Sequence, residues 1–209
     1  MTLTQDLDLD AGIGFANEIS DLSIIQEDSC AIVSCHRKPD SRVLDWIKEI
    51  DPVYLPKARV ILPPERVQRA LKQICDNSGT PDCEERDRFI ADISDLAKAF
   101  TDIMHPPYIR LRLDVITTNA CRKFHIDAIK SRLLCTYRGS GTQYGVSING
   151  AEPSHIFNVP LGSPIVLRGT LWPESPKSGV VHRSPPIEGT GECRSVLVID
   201  PIFDLEEES

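Results

Sequence analysis

The chain has 209 residues, 41% hydrophobic and 26% charged, with a formal net charge of -8. That length can bury the core of one domain, or one domain with a helical annex; the acidic balance argues against a nucleic-acid backbone as partner, which needs a basic face. Seven cysteines, an odd number with no Cys-x-x-Cys among them, argue against a complete disulfide framework, and no apolar run approaches the ~18 residues that span a bilayer.

The acidic start, MTLTQDLDLD, lacks the apolar centre of a secretory signal, so a reduced, cytoplasmic protein is expected. Residues 1 to 11 read as frayed. A β-rich run at 30–37 reads as a strand. After it, Asp40 or Ser41 caps an amphipathic helix with Val43, Leu44, Ile47 and Ile50 on one face. A second strand candidate spans 57–63. Helical spacing returns at Val67, Ala70, Leu71, Ile74 and Cys75, between Pro64 and Gly79. Thr80 and Pro81 open a further helix whose stripe is Phe89, Ile93, Leu96, Ala97 and Phe100. Cys30, Cys35, His36, Cys75 and Cys83 fit no strong zinc spacing, and Cys75 on the stripe reads as a small buried hydrophobe.

At Tyr108 the hydrophobic period changes from 3.6 to 2. Ile109, Leu111, Leu113 and Val115 alternate with Arg110, Arg112 and Asp114, as in a half-buried strand. Seven more strand candidates follow: KFHID, SRLLCTY, YGVSI, HIFNV, PIVLRG, GVVHRS and CRSVLVID, separated by turn-rich segments. Short strands at this spacing with no long helix between them suggest a sandwich, jelly roll or barrel. The expected organisation is an α+β chain. Residues 1–107 form a mostly helical segment integral to the domain, and 108–209 a β-rich core with a short acidic tail.

Within KFHID, His125 and Asp127 are two residues apart. On a strand they project to one face about 7 Å apart, within reach of one ion. His182 ends a short apolar run further on, and Arg194 heads the last strand candidate, with PPIEGTG between them as the turn of a hairpin. In a jelly roll, sequence-distant antiparallel strands lie side by side, so His182 can approach His125 and Asp127. Two His and one carboxylate on one face of a metal leave its opposite positions open, the facial triad of non-haem Fe(II) oxygenases. Arg122, Lys123, Arg132 and Arg138 read as a solvated rim able to attract an anion, and Arg183 as an anchor on the opposite strand face.

The order His-x-Asp, distal His, then Arg at the next strand resembles the Fe(II)/2-oxoglutarate dioxygenases and their cupin-like relatives. That resemblance implies a double-stranded β-helix with N-terminal helices packed on it. It also implies His125, Asp127 and His182 as catalytic metal ligands, Arg194 as the bidentate partner of the far carboxylate of 2-oxoglutarate, and Tyr137 as a second cosubstrate contact. At closer range, the Cys-Arg-x-Phe-His-x-Asp core at 121–127, the Thr-Tyr-x-Gly-x-Gly-Thr turn at 136–142 and the Val-His-Arg-Ser-Pro-Pro segment at 181–186 are similar to a bacterial family of unassigned function. Its genes often neighbour zinc-homeostasis genes, which keeps a metal-handling role open. The expected cofactors are Fe(II) and 2-oxoglutarate, acting on a small-molecule or peptide substrate without membrane or nucleic acid; a homodimer is left open. The alternatives are a cupin-like protein holding zinc or another divalent ion without oxygenase activity, and a non-catalytic β-sandwich in which His-x-Asp is accidental.

Overall fold

The computed structural model describes residues 12–173 and 179–206. The frayed stretch expected at 1 to 11, most of the turn at 173–179 and the last residues of the acidic tail lie outside the described residues. The elements are β1 (Ile13–Ala16), β2 (Ile32–Cys35), α1 (Ser41–Glu49), β3 (Ala58–Leu62), α2 (Val67–Asn77), α3 (Glu84–Met104), β4 (Tyr108–Ile116), β5 (Ser131–Arg138), β6 (Gln143–Val146), β7 (Phe157–Asn158), β8 (Pro164–Arg168), β9 (Val180–Arg183) and β10 (Arg194–Ile202).

The helices begin and end where side-chain chemistry requires. Asp40 accepts a hydrogen bond from the Arg42 amide at 2.9 Å and caps α1. The first turn of α3 carries Glu84, Glu85 and Asp87, which favour the positive end of the helix dipole. That helix stops at His105, whose φ of 49° is left-handed, directly before Pro106 and Pro107. Its expected stripe, Phe89 to Phe100, is buried.

The strands form two sheets. The larger runs β1-β2-β8-β5-β10-β4-β3, and the smaller β7-β6-β9. Every pair is antiparallel except β1 with β2. One face of the large sheet packs Leu111, Leu133, Tyr137 and Leu197 against the helical residues Phe89, Ile93 and Phe100. The other packs Leu134, Ile165, Val196 and Val198 against Tyr144 and Val180 of the small sheet. Strands β5 and β10 are therefore covered on both sides, so they read as near-continuous apolar runs rather than alternating ones. Strand β4 keeps its alternation. It buries Ile109, Leu111 and Leu113 on the helical side and turns Arg110, Arg112 and Asp114 the other way.

Three expectations change. KFHID is not a strand: His125 makes one isolated antiparallel bridge, to His182. PPIEGTG does not close a hairpin, because β9 pairs with β6 in the small sheet while β10 lies between β5 and β4 in the large one. The apolar content of β10 explains this, since a strand buried on both faces belongs in the middle of the large sheet. Lastly, the sheet extends beyond 108–209: β1, β2 and β3 of the helix-rich half supply both of its edges. β1 escapes sequence reading because it is four residues long and glycine-flanked, with Gly12 at φ 76°.

Leu197 lies in the strand shared by both layers and is 0% exposed. Leu197→Ala is expected to lower stability by about 2–5 kcal/mol, read as a fall in the urea midpoint with the slope unchanged.

Candidate metal centre

Loop 117–130, between β4 and β5, carries His125 and Asp127 across the small sheet. It is tied there by backbone hydrogen bonds. His125 and His182 exchange N–H to O=C bonds, each 3.0 Å, and the Ser184 amide donates to the Cys121 carbonyl at 2.9 Å. The Thr170 amide donates to the Asp127 carbonyl at 2.9 Å. Gly169 permits this approach, because a Cβ there would lie 1.9 Å from the Ile129 carbonyl oxygen and 2.7 Å from that of Asp127.

The three side chains converge although no regular strand carries the first two. His125 Nε2 is 3.4 Å from Asp127 Oδ1, and His182 Nε2 is 3.2 Å from Asp127 Oδ2. All three ligand atoms lie within 4.8 Å of one another. Donors each roughly 2.1 Å from a shared ion and at right angles around it would be about 3.0 Å apart, so this spacing suits one face of an octahedral site. His125 Nδ1 is 2.8 Å from the Lys123 carbonyl oxygen. Donation from Nδ1 to that oxygen leaves Nε2 with its lone pair toward the site.

The protonation states agree with a cation there. Burial works to raise the Asp127 pKa, but His182, Arg132 and His125 outweigh it and hold the carboxyl at about 2. Burial lowers the His182 pKa, with Asp127 opposing, so its ring is neutral at pH 7. Metal ligands need these forms. Asp127 Oδ2 is buried, with Arg132 Nη1 at 2.8 Å and His182 Nε2 at 3.2 Å. A buried, ionised carboxylate between two imidazoles is the donor set a divalent ion takes. Among the described residues, no other His, Cys, Asp and Glu cluster has this geometry. Cys30 and Cys75 are buried thiols whose pKa values burial raises to about 11.

Beside the triad is a cavity of ≈ 130 Å3, lined by Leu134, Val196 and Val198 of the large sheet, by Arg112, Arg132 and Arg194, and by both histidines. Arg194 is 1% exposed. Its Nε donates to the Ser140 carbonyl at 2.6 Å, and no ion pair holds it among the described residues. Burial pushes its pKa down to about 10, with Glu192 opposing only partly. Gly139, at φ 78°, lets the turn after β5 lie against this side chain, since a Cβ there would be 2.8 Å from Arg194 Cγ.

Tyr137 is not in this site. Alternation along β5 points it to the helical side, where its hydroxyl donates to Asp92 Oδ2 at 2.6 Å and its ring meets Phe89 edge-on. Two of the expected rim arginines are also internal. Arg138 donates to the Ile47 and Ile50 carbonyls at the end of α1. Arg132 grips Asp200 through Nε and Nη2, at 2.6 and 2.9 Å, while Nη1 reaches Asp127. Arg183 is an anchor: its Nε donates to Gln143 Oε1, and its guanidinium stacks over Phe124. The Arg132–Asp200 pair had one sequence signal, an acid closing the apolar run VLVID, which requires a buried cation.

A family described as "Protein of unknown function (DUF1826)" matches residues 16–200. The chain belongs to this family. The match spans β2 to β10 and includes every residue of the DUF1826 site just described. Among curated proteins, none matches the chain in sequence. Among solved structures, the dioxygenase for auxin oxidation (DAO) in rice aligns over 93% of this chain and 84% of its own, at 11% identity and a TM-score of 0.50. Dioxygenase for auxin oxidation 1 from Arabidopsis thaliana, solved as a 2-oxoglutarate complex, aligns over 93% of both chains at 11% identity and a TM-score of 0.49. A Pseudomonas putida prolyl-4-hydroxylase aligns over 81% of this chain and 99% of its own, at 14% identity and a TM-score of 0.38. The likeness to the rice protein is one of fold. No helix among the described residues is long and apolar enough to cross a membrane.

His125→Ala is expected to abolish stoichiometric binding of a divalent ion, measured by elemental analysis of anaerobically loaded protein, while circular dichroism stays native. Tyr137→Phe is expected to bind metal as wild type does and to lose roughly 1.5–3 kcal/mol of stability, the worth of a hydrogen bond to a charged group.

Proposed function

We propose that this DUF1826 protein is a non-haem Fe(II), 2-oxoglutarate-dependent dioxygenase built on a double-stranded β-helix. One observation carries the reading: a nearly fully buried guanidinium, Arg194, with no carboxylate partner among the described residues, lines the same cavity as the two histidines of a His-Asp-His cluster spaced for a metal. A buried cation is costly unless an anion meets it. The far carboxylate of a 2-oxo acid whose other end chelates the metal would meet it bidentately.

The winding of the chain supports the fold. From β4 onward, the segments alternate between sheets. β4, β5, β8 and β10 lie in the large one; the His125 bridge, β6, β7 and β9 lie in or on the small one. The likeness to the rice dioxygenase is of the same kind.

His125, Asp127 and His182 would hold Fe(II) through Nε2, a carboxylate oxygen and Nε2, leaving the opposite face open to a chelating oxo acid and dioxygen. Fe(II) there supplies the chemistry of the class, in which 2-oxoglutarate and dioxygen give succinate and carbon dioxide while one oxygen atom enters the substrate. The Lys123 carbonyl fixes the His125 tautomer, and Arg132 fixes the Asp127 carboxylate. Leu134, Val196 and Val198 keep the cavity wall apolar. The substrate is a small molecule or peptide group that reaches this cavity, and a reducing compartment such as the cytoplasm suits both Fe(II) and the free cysteines.

Anaerobic titration of Fe(II)-loaded protein with 2-oxoglutarate is expected to develop a metal-to-ligand charge-transfer band. Arg194→Ala is expected to weaken that titration about 10- to 150-fold, the equivalent of about 1.5–3 kcal/mol, and to leave metal binding intact. A wild-type protein that holds Fe(II) but shows no band at millimolar 2-oxoglutarate overturns the reading in favour of a zinc or other divalent-metal protein.

A further inference from the structure

A second arginine faces the cavity with no ion-pair partner among the described residues. Arg112 of β4 projects toward the small sheet together with Arg110 and Asp114, and it lines the cavity beside Arg194 and both histidines. Its Nε is buried and has no hydrogen-bond partner. No ion pair holds its guanidinium among the described residues, although Asp114 lines the same cavity. The acids further along are engaged: Asp200 by Arg132, and Asp127 by the triad and Arg132.

The sheet makes this imbalance worse. The register of β3 on β4 sets Arg59 directly opposite Arg112, and on the other side β10 offers only Val198. Like charges directly opposite on adjacent strands are destabilising. The accumulated charge is felt next door. Burial lowers the pKa of Arg110, Asp200 opposes, and Arg59, Arg112 and Arg132 depress it further. Arginines outnumber acids in the cavity wall, where, among the described residues, Asp114 is the one acid beside Arg112, Arg132, Arg183 and Arg194, and the position of Arg112 separates an anion bound there from one at Arg194. On β10 and β4, Arg112 pairs with Val198 whereas Arg194 pairs with Ile116. Four residues along a strand are about 13 Å at the backbone, room for two ligand groups.

We propose that Arg112 anchors an oxyanion, a carboxylate or phosphate group, carried by the molecule that this site oxidises. The oxyanion part of the inference stands on Arg112 itself; the word "oxidises" rests on the dioxygenase reading above. The substrate class is a small organic acid or a phosphate ester, seated with its anionic end on β4 and its reacting carbon toward the triad.

The test uses the full chain loaded with zinc, which is redox-silent, and saturated with 2-oxoglutarate. Acetate and inorganic phosphate are titrated separately by calorimetry. At least one is expected to bind in the millimolar range or tighter, and the tighter one identifies the anion. Arg112→Gln is expected to weaken that binding at least tenfold, and Arg112→Lys, which keeps the charge and loses the planar fork, by less. In protein free of 2-oxoglutarate, Arg194→Gln is expected to leave it unchanged. The proposal is overturned if neither probe binds, if both Arg112 variants bind like wild type, or if binding depends on Arg194 and is displaced by 2-oxoglutarate. Should wild-type protein fail to bind 2-oxoglutarate while anion binding still depends on Arg112, the dioxygenase reading falls and the anion site stands.

Discussion

Arg132 is gripped by two carboxylates at once, and the site depends on that. Asp200 is 1% exposed in the central strand, where an ionised carboxylate survives only with a cation beside it. Arg132 meets it bidentately and turns its remaining nitrogen to Asp127. The same guanidinium therefore satisfies a charge of the core and aims a candidate metal ligand. Asp127 sits on irregular backbone, so this contact, with the Thr170 amide on its carbonyl, stands in for the ladder that a strand would have provided.

The two faces of the large sheet divide the polar work. On the helical face, Arg37 and Tyr137 both bond to Asp92, a closed group whose acid accepts from a guanidinium and a phenol. Toward the small sheet the pairing is incomplete: among the described residues, Arg112 Nε lacks a hydrogen bond and Arg194 has no acid. Arg112 and Arg194 line one cavity beside both histidines, so on the proposed reading anionic ligands would complete the arginines and a metal ion the His-Asp-His cluster. A folded chain tolerates such groups when a ligand completes them.

Part of this was legible in the residues. The 3.6-residue stripe of α3 and the alternation of β4 follow directly from side-chain periodicity; the stripe is buried as written, and the strand buries Ile109, Leu111 and Leu113 with Val115 half-buried at its end. The types and order of His125, Asp127, His182 and Arg194 pointed to one metal with an open face, because that chemistry needs two imidazoles, a carboxylate and a fork-shaped cation. Tyr137 was misplaced. Its distance along the chain from His125 resembles a family pattern, but the face on which a strand residue lies depends on register, and one residue of shift reverses it.

What the sequence by itself determined was local: periodicity, caps, turns and the inventory of groups able to bind a metal or a carboxylate. The tertiary structure alone decided which of those groups meet. It brought His125 to His182 through a single bridge rather than a strand, sent β9 and β10 to different sheets, and set Arg59 against Arg112. Those outcomes depend on pairings between segments tens of residues apart. Their register is selected by burial on two faces at once, and no short stretch of sequence contains that constraint.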